Sequence, residues 1–270
     1  MATEERAMAA AAVVVEPMVK RTQDARGVLT LTLNRPQAFN ALSEAMIAAL
    51  QRELDAIAVD EAVRVVVLAA EGKAFCAGHD LKEMRSKPSL DYYRELFAQC
   101  AHMMLAVRRL PVPVIARVQG IATAAGCQLV AQCDLAVASA TARFAVSGIN
   151  LGLFCSTPSV PLSRNVPHKQ AFEMLVTGDF IDARQAQARG LVNRVVEPGQ
   201  LDLEVETLAA SIVAKPRAVL ALGKELFYRQ AELGLEAAYA AAGEVMACNM
   251  MDSAALEGVQ AFIEKRPPRW

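Results

Sequence analysis

Along Gly27–Leu33, Leu29, Leu31 and Leu33 fall on one side and Thr30 and Thr32 on the other. A period of two predicts a half-buried strand leaving a turn at Asp24–Gly27. Asn34-Arg35-Pro36 ends it, and the period lengthens. Ile47, Leu50, Leu54 and Ile57 form the apolar stripe of a helix capped by Ser43, with Leu42 and Ile47 placed as a hydrophobic staple. Val63–Ala70 is apolar without a break, the pattern of a strand covered on both faces. A loop of small residues, Glu71–Leu81, follows, then a helix over Leu90–Arg109 that stops before Pro111. Val112–Val118 reads as a strand, Gly120 turns the chain, and the stretch from Ala124 to Cys133 is helical and apolar all round, hence buried.

Strand patterns recur at Leu135–Ala138, Arg143–Val146 and Leu191–Val196, with a helix over Ala183–Arg189 closed by Gly190. From Leu201 the chain is helical to near Pro267. Alternation of strands and helices followed by a helical tail predicts an α/β core with a C-terminal helical layer. Three regions are expected: a flexible extension over 1–17, the core over 18–200 and the helical region over 201–270. Apolar positions in the last (Leu208, Ile212, Leu220, Leu226) call for cover and predict self-association.

Composition narrows the field. Of 270 residues 54% are hydrophobic and 21% charged, which excludes disorder over most of the length. With 28 basic and 29 acidic side chains the net charge is −1, so no basic footprint marks a nucleic-acid partner. Aromatics at 5% offer few stacking platforms for single strands. The apolar stretch Met8–Val15 is too short to span a bilayer and lies behind Glu4, Glu5 and Arg6, unlike the cationic flank of a signal peptide or the acid-poor composition of a mitochondrial presequence. The uncharged run Phe144–Ser163 contains Gly148, Asn150, Gly152, Pro158 and Pro161, which argues against a membrane helix. Six cysteines without a C-x-x-C pair suit small buried thiols in a reducing, cytoplasmic setting.

Two segments share one arrangement, a buried strand followed by small residues and a helix start: Ala77-Gly78 and Ala124-Ala125-Gly126. Unpaired N–H groups at a helix N-terminus carry positive partial charge, and two that converge make an oxyanion hole. Small side chains let the backbone approach a ligand, and they also serve tight packing; spacing alone leaves both readings open. Gly120–Gly126 is not a dinucleotide fingerprint, Gly72-Lys73 lacks the rest of a phosphate loop, and Ser147 lacks the flanking glycines of a nucleophile elbow. His79, His102 and His168 are not spaced as metal ligands.

Asn34-Arg35-Pro36 with Asn40-Ala41-Leu42-Ser43, then Ala74–Leu81, then Gly120–Cys127, resemble the crotonase superfamily, the enoyl-CoA hydratase/isomerase group. The likeness continues through Phe144, Gly152, Gly178, Ala183, Ala186 and Gly190-Leu191-Val192 to Phe262, Glu264, Lys265 and Arg266, nearly the whole chain. It implies a spiral of ββα units with a C-terminal helical trimerisation layer, and homotrimers that pair into homohexamers. It also implies an acyl-CoA thioester as substrate, coenzyme A entering with it and no separate cofactor. Carried over by position, the thioester oxygen sits on the N–H groups of Ala77 and Ala125. The ligand lies along Arg35, Ala38, Phe39, Ala41, Ala74, Ala77, Gly78, His79, Asp80 and Leu81, beside Ala122, Ala124, Ala125 and Gln128, with Lys265 near the phosphates.

The departure is in the acid/base pair. The two glutamates with which the family's hydratases handle water and the α-carbon fall on Gln128 and Gly148. Glutamine orients a water without exchanging a proton near neutral pH, and glycine offers nothing. His79 is the substitute acid/base to weigh against a lining role, Cys155 a thiol nucleophile to weigh against a buried filler, and Asp80 and Asp134 read as structural. Three functions stay open: an enolate-stabilising enzyme of the family, an acyl-CoA-binding protein without turnover, and a thioester hydrolase or decarboxylase using His79.

Overall fold

The computed structural model describes residues 16–270, so all but the last two residues of the expected extension lie outside the described residues. Six strands form the larger sheet: β1 (Val19–Gln23), β2 (Val28–Leu33), β3 (Val65–Ala70), β5 (Val114–Val118), β7 (Leu135–Ser139) and β10 (Arg194–Val196), in the order β1-β2-β3-β5-β7-β10. Only β1 against β2 is antiparallel. A smaller sheet has the order β4 (Ala74–Cys76), β6 (Ile121–Thr123), β8 (Arg143–Ala145), β9 (Ile181–Asp182). The chain therefore repeats one step three times: a strand in the large sheet, a strand in the small one, then helix. This is the spiral of ββα units implied by the sequence resemblance.

Local sequence explains the helices. In α1 (Glu44–Ala58) the Ser43 Oγ accepts from the Met46 N–H at 3.2 Å, and the staple residues Leu42 and Ile47 are both buried. After α2 (Leu81–Ser86) comes α3 (Leu90–Arg109), capped by the Ser89 Oγ on the Tyr92 N–H at 3.2 Å and halted by the approach to Pro111. The buried helix expected after Gly120 is α4 (Ala125–Gln132). The uncharged run folds into β8, a 3-10 turn and the start of α5 (Ser156–Asn165), and among the described residues no helix is long and apolar enough to cross a membrane. Then follow α6 (His168–Thr177), α7 (Ala183–Ala188), α8 (Leu201–Val213), α9 (Arg217–Gln230), α10 (Leu235–Met250) and α11 (Ser253–Ile263).

The two faces of the large sheet explain the unbroken apolar strands. Val66 and Leu68 of β3 face the main core with Ile47, Leu50, Leu54 and Met103. Val65 and Val67 face the other way, against Leu201, Val205, Leu208 and Ala209 of α8. Burial of each Leu or Val stabilises by ~1.5–3 kcal/mol. Helix α8 thus belongs to the core, and the division expected at residue 200 is corrected: the layer standing off the core begins at α9. Of α9 only Lys224 is buried, of α11 only Ala261, and of α10 nothing.

Lys224 anchors that layer. Its Nζ donates to Asp134 Oδ2 at 2.7 Å and to the carbonyls of Val107 and Val112 at 3.1 and 3.0 Å. Asp134 also accepts from the Tyr228 hydroxyl and the Val114 N–H, each at 2.7 Å. The structural reading of Asp134 therefore holds, as the partner of a buried cation. Removing that partner strands the cation, so Asp134→Ala is expected to lower the unfolding free energy by about 3–5 kcal/mol. Urea denaturation showing a loss below about 1 kcal/mol would contradict this role.

Candidate functional site

Two loops meet where β4 and β6 pair. A Cβ added to Gly126 would lie 2.0 Å from the Cys76 carbonyl oxygen, and one on Gly78 would lie 2.9 Å from the Ala124 Cβ and 3.3 Å from the Ala125 nitrogen. Only hydrogen fits at either place, so the loop after β4 rests directly on the N-terminus of α4. Ala124, which caps that helix, adopts φ 49° and ψ −121°, a conformation that side chains disfavour.

Hydrogen bonding decides which N–H groups remain free. The Ala77 N–H donates to the Phe39 carbonyl at 3.0 Å. It is not available to a ligand, and the sequence-based assignment to Ala77 is corrected on that ground. The next residues are tied in register with the loop before α1: the Leu42 N–H donates to the Gly78 carbonyl at 2.8 Å and the Asp80 N–H to the Leu42 carbonyl at 3.3 Å. The His79 N–H has no acceptor among the described residues, and neither has that of Ala125, the first residue of α4. His79 and Ala125 thus each offer an unpaired N–H, one from each of two loops that line a common cavity.

Beside them lies a cavity of about 320 Å³. Ala77, His79, Leu81, Ala124, Ala125 and Gly148 line it together with Met84, Phe97, Ser147, Leu151, Leu153, Phe154, Cys155, Ser156, Thr157 and Pro158. Larger clefts of about 530 and 650 Å³, between the large sheet and α8 and between α3 and α9, are lined by none of these residues. Sequence reasoning missed Met84, Phe97, Leu151, Leu153 and Phe154. The signal that could have found the last three is their clustering as large apolar residues among turn-forming glycines on a charge-free stretch.

The remaining expected residues fall around the cavity rather than in its wall. Ala74 and Ala122 are buried in β4 and β6, and Ala41 is buried ahead of α1. Arg35, Ala38 and Phe39 belong to the loop that runs beside 77–80, where Phe39 and Asn40 both take left-handed conformations at φ 50° and 53°. Asn40 holds that loop, donating to the carbonyls of Glu71 and Ala74 at 2.8 and 2.9 Å while accepting from the Arg35 N–H at 2.9 Å. Asp80 caps α2 and pairs with Arg35 at 2.8 Å. Burial works to raise its carboxyl pKa, but the Arg35 hydrogen bond and the α2 N–H groups hold it below the ordinary value. Lys265 follows α11, exposed, away from the cavity wall.

The acid/base inventory is short. Gln128 is 4% exposed, one turn along α4 from Ala124, and its Oε1 has no donor. A Cβ at Gly148 would meet the Leu153 carbonyl oxygen at 2.6 Å and the Cys155 sulphur at 2.7 Å, so the position has no room for a side chain. His79 stacks edge-on against Phe97 with ring centres 5.5 Å apart, and both ring nitrogens are buried without partners. Burial lowers its pKa, outweighing a smaller raising effect of the Leu42 backbone, so the imidazole is neutral at neutral pH.

This chain belongs to the enoyl-CoA hydratase/isomerase family, whose model matches residues 23–270. Its fold is that of crotonase-type structures. An enoyl-CoA hydratase from Mycobacterium smegmatis superposes with a TM-score of 0.94 at 69% identity, covering 94% of this chain and 99% of that one. Human enoyl-CoA hydratase domain-containing protein 3 superposes with a TM-score of 0.91 at 43% identity, covering 94% and 100%. The rat protein of that name is 45% identical over 255 residues, 94% of this chain and 85% of its own. The rat and human proteins are both named as mitochondrial. That overturns the expectation of a cytoplasmic protein, which rested on cysteine usage and on the acidic residues near the start of the chain. All six cysteines are nonetheless free thiols, five of them buried.

Two predictions come from this geometry. In the unfolded chain His79 titrates near ~6.5, whereas burial lowers its folded value. Below about pH 6.5 the unfolded state therefore binds more protons than the folded state, and stability falls as pH drops through that window. Urea denaturation at successive pH values should show this loss in the wild type and a smaller loss in His79→Gln; identical slopes would contradict it. Gly148→Glu should destabilise by at least ~1–3 kcal/mol through overpacking against Leu153 and Cys155. An unchanged unfolding midpoint would contradict that placement.

Proposed function

We propose that the protein binds an acyl-CoA thioester with its carbonyl oxygen between the N–H groups of His79 and Ala125 and its acyl group in the adjoining cavity. The observation that carries this reading is two unpaired backbone donors, one on each of two loops seated together by glycine contacts, on residues that line an apolar cavity. Donors fixed before the ligand arrives need no reorganisation, and in a dry site they favour negative charge on the oxygen. They therefore polarise the thioester and stabilise its enolate. In this arrangement the loop of Arg35, Ala38, Phe39 and Ala41 flanks the CoA moiety, Ala74 and Gly78 to Leu81 support the oxyanion side, and Lys265 serves the phosphates. Ala122 and Ala124 shape the approach to Ala125. Coenzyme A arrives as part of the ligand.

Hydration is a different matter. A competent hydratase must deprotonate water and protonate the α-carbon. Here position 128 holds a neutral amide and position 148 has no space for a carboxylate. Each positioned acid or base typically contributes ~10²–10⁴-fold. The chain is therefore read as an enolate-stabilising acyl-CoA protein with weak hydratase activity. His79, neutral and in the cavity wall, is its available base. An acyl-CoA-binding role without turnover, or hydrolysis or decarboxylation through His79, is the competing outcome. The apolar residues on the stand-off helices, among them Leu235, Tyr239, Met246 and Phe262, support assembly into trimers or hexamers.

Calorimetric titration with butyryl-CoA is expected to give a Kd in the micromolar range, by analogy with typical metabolic KM values of about 1 μM–1 mM. Crotonyl-CoA hydration should run at least ~10²-fold below a hydratase that carries both glutamates. Gln128→Glu should raise the rate, and His79→Gln, which keeps the backbone donor, should remove residual turnover while leaving affinity within a few-fold. No heat with any acyl-CoA would overturn the binding reading. Wild-type turnover within tenfold of an ordinary hydratase would overturn the account of the missing acid/base pair.

A further inference from the structure

The reading above leaves the thiol of Cys155 unused. Cys155 ends the loop before α5, is buried, and lines the same cavity as His79 and Ala125. Its sulphur accepts the Gly148 N–H at 3.3 Å and lies 2.7 Å from where the first side-chain atom at position 148 would stand. The thiol thus fills the space that a residue larger than glycine would take at 148, one of the two positions where the sequence resemblance expects an acid/base group. Among the described residues no carboxylate is bonded to it. A second, independent feature points to a ligand in the same cavity: both ring nitrogens of His79, which lines it, are buried and lack any hydrogen-bond partner among the described residues.

We propose that Cys155 is a covalent capture site for α,β-unsaturated acyl thioesters, resting on the preceding reading of the oxyanion site. With the thioester oxygen on the His79 and Ala125 N–H groups, electron density is drawn from the β-carbon, which becomes the soft electrophile in the cavity. The sulphur forms a bond to that carbon and the Cα=Cβ π pair moves onto the thioester as an enolate. The thiol proton passes to the His79 imidazole and from there to the α-carbon. The net change is addition of S–H across the double bond: nothing is oxidised, nothing leaves, and the CoA ester remains whole. Attack on the carbonyl carbon would only exchange one thioester for another. A thiol without a charged activator suits slow, stoichiometric capture better than rapid turnover, because the thiolate is the reactive form.

The test is acid-quenched intact mass and peptide mapping of the wild type and Cys155→Ser after incubation with crotonyl-CoA, with and without excess butyryl-CoA. The serine hydroxyl keeps an acceptor for the Gly148 N–H, and a thermal melt checks that the variant folds. The wild type should gain the mass of one whole crotonyl-CoA per chain, on the peptide holding Cys155. The gain should fall at least tenfold in Cys155→Ser and be suppressed by the saturated ester, which has no electrophilic β-carbon. Modification confined to the exposed Cys248 and indifferent to butyryl-CoA would overturn the proposal, and so would a gain of the crotonyl group alone. If butyryl-CoA raises the melting temperature and no adduct forms, capture is overturned and the binding reading stands; if butyryl-CoA does not bind, both fall.

Discussion

Two contacts in which only hydrogen fits organise the functional region. Gly126 packs on the Cys76 carbonyl and Gly78 on Ala124 and the Ala125 nitrogen, closer than any Cβ would permit. These contacts seat the loop after β4 on the first turn of α4. The two pieces belong to successive turns of the spiral, so their separation is fixed by the pairing of β4 with β6 and of β3 with β5. The core behind them is close-packed, and such interiors shift little when one side chain is disturbed. The free N–H groups of His79 and Ala125 are thus held by the whole ββα repeat rather than by local loop preferences.

Much of this was legible in the residues. The end of α3 follows from Pro111, the start of α1 from Ser43 and its staple, and the buried strand β3 from an apolar run facing two helical layers. Strands β4 and β6 were not legible, because each is three residues long and lies within a run of small residues and glycines that reads as a loop. Nor was α8 separable from the other C-terminal helices, since an apolar stripe does not say what it packs against. The likeness across the chain singled out the two loops that meet here, and it took as donor Ala77, whose N–H is paired with the Phe39 carbonyl. The choice between Ala77 and His79 turns on where the Phe39 carbonyl points. That carbonyl is set by consecutive left-handed residues, Phe39 and Asn40, which no glycine announces.

On the proposed reading, the site keeps one part of a chemistry without the other. The proposed oxyanion donors are backbone groups, so they tolerate a methyl at Ala125 and an imidazole at His79. The acid/base groups are side chains and do not survive Gln128 and Gly148. The Leu153 carbonyl and the Cys155 sulphur occupy the space beside Gly148, and His79 presents a neutral, half-buried imidazole to the cavity. Such a site suits binding, polarisation and slow addition better than fast hydration.

The central claim is that a thioester carbonyl is polarised by the two backbone donors. Difference infrared spectroscopy with butyryl-CoA labelled with ¹³C at the carbonyl tests it most directly, since isotope editing isolates that one stretch. The account predicts that the band moves to lower frequency on binding and keeps that position in His79→Gln, which retains the N–H. Bound ligand with the carbonyl band at its solution frequency would contradict it.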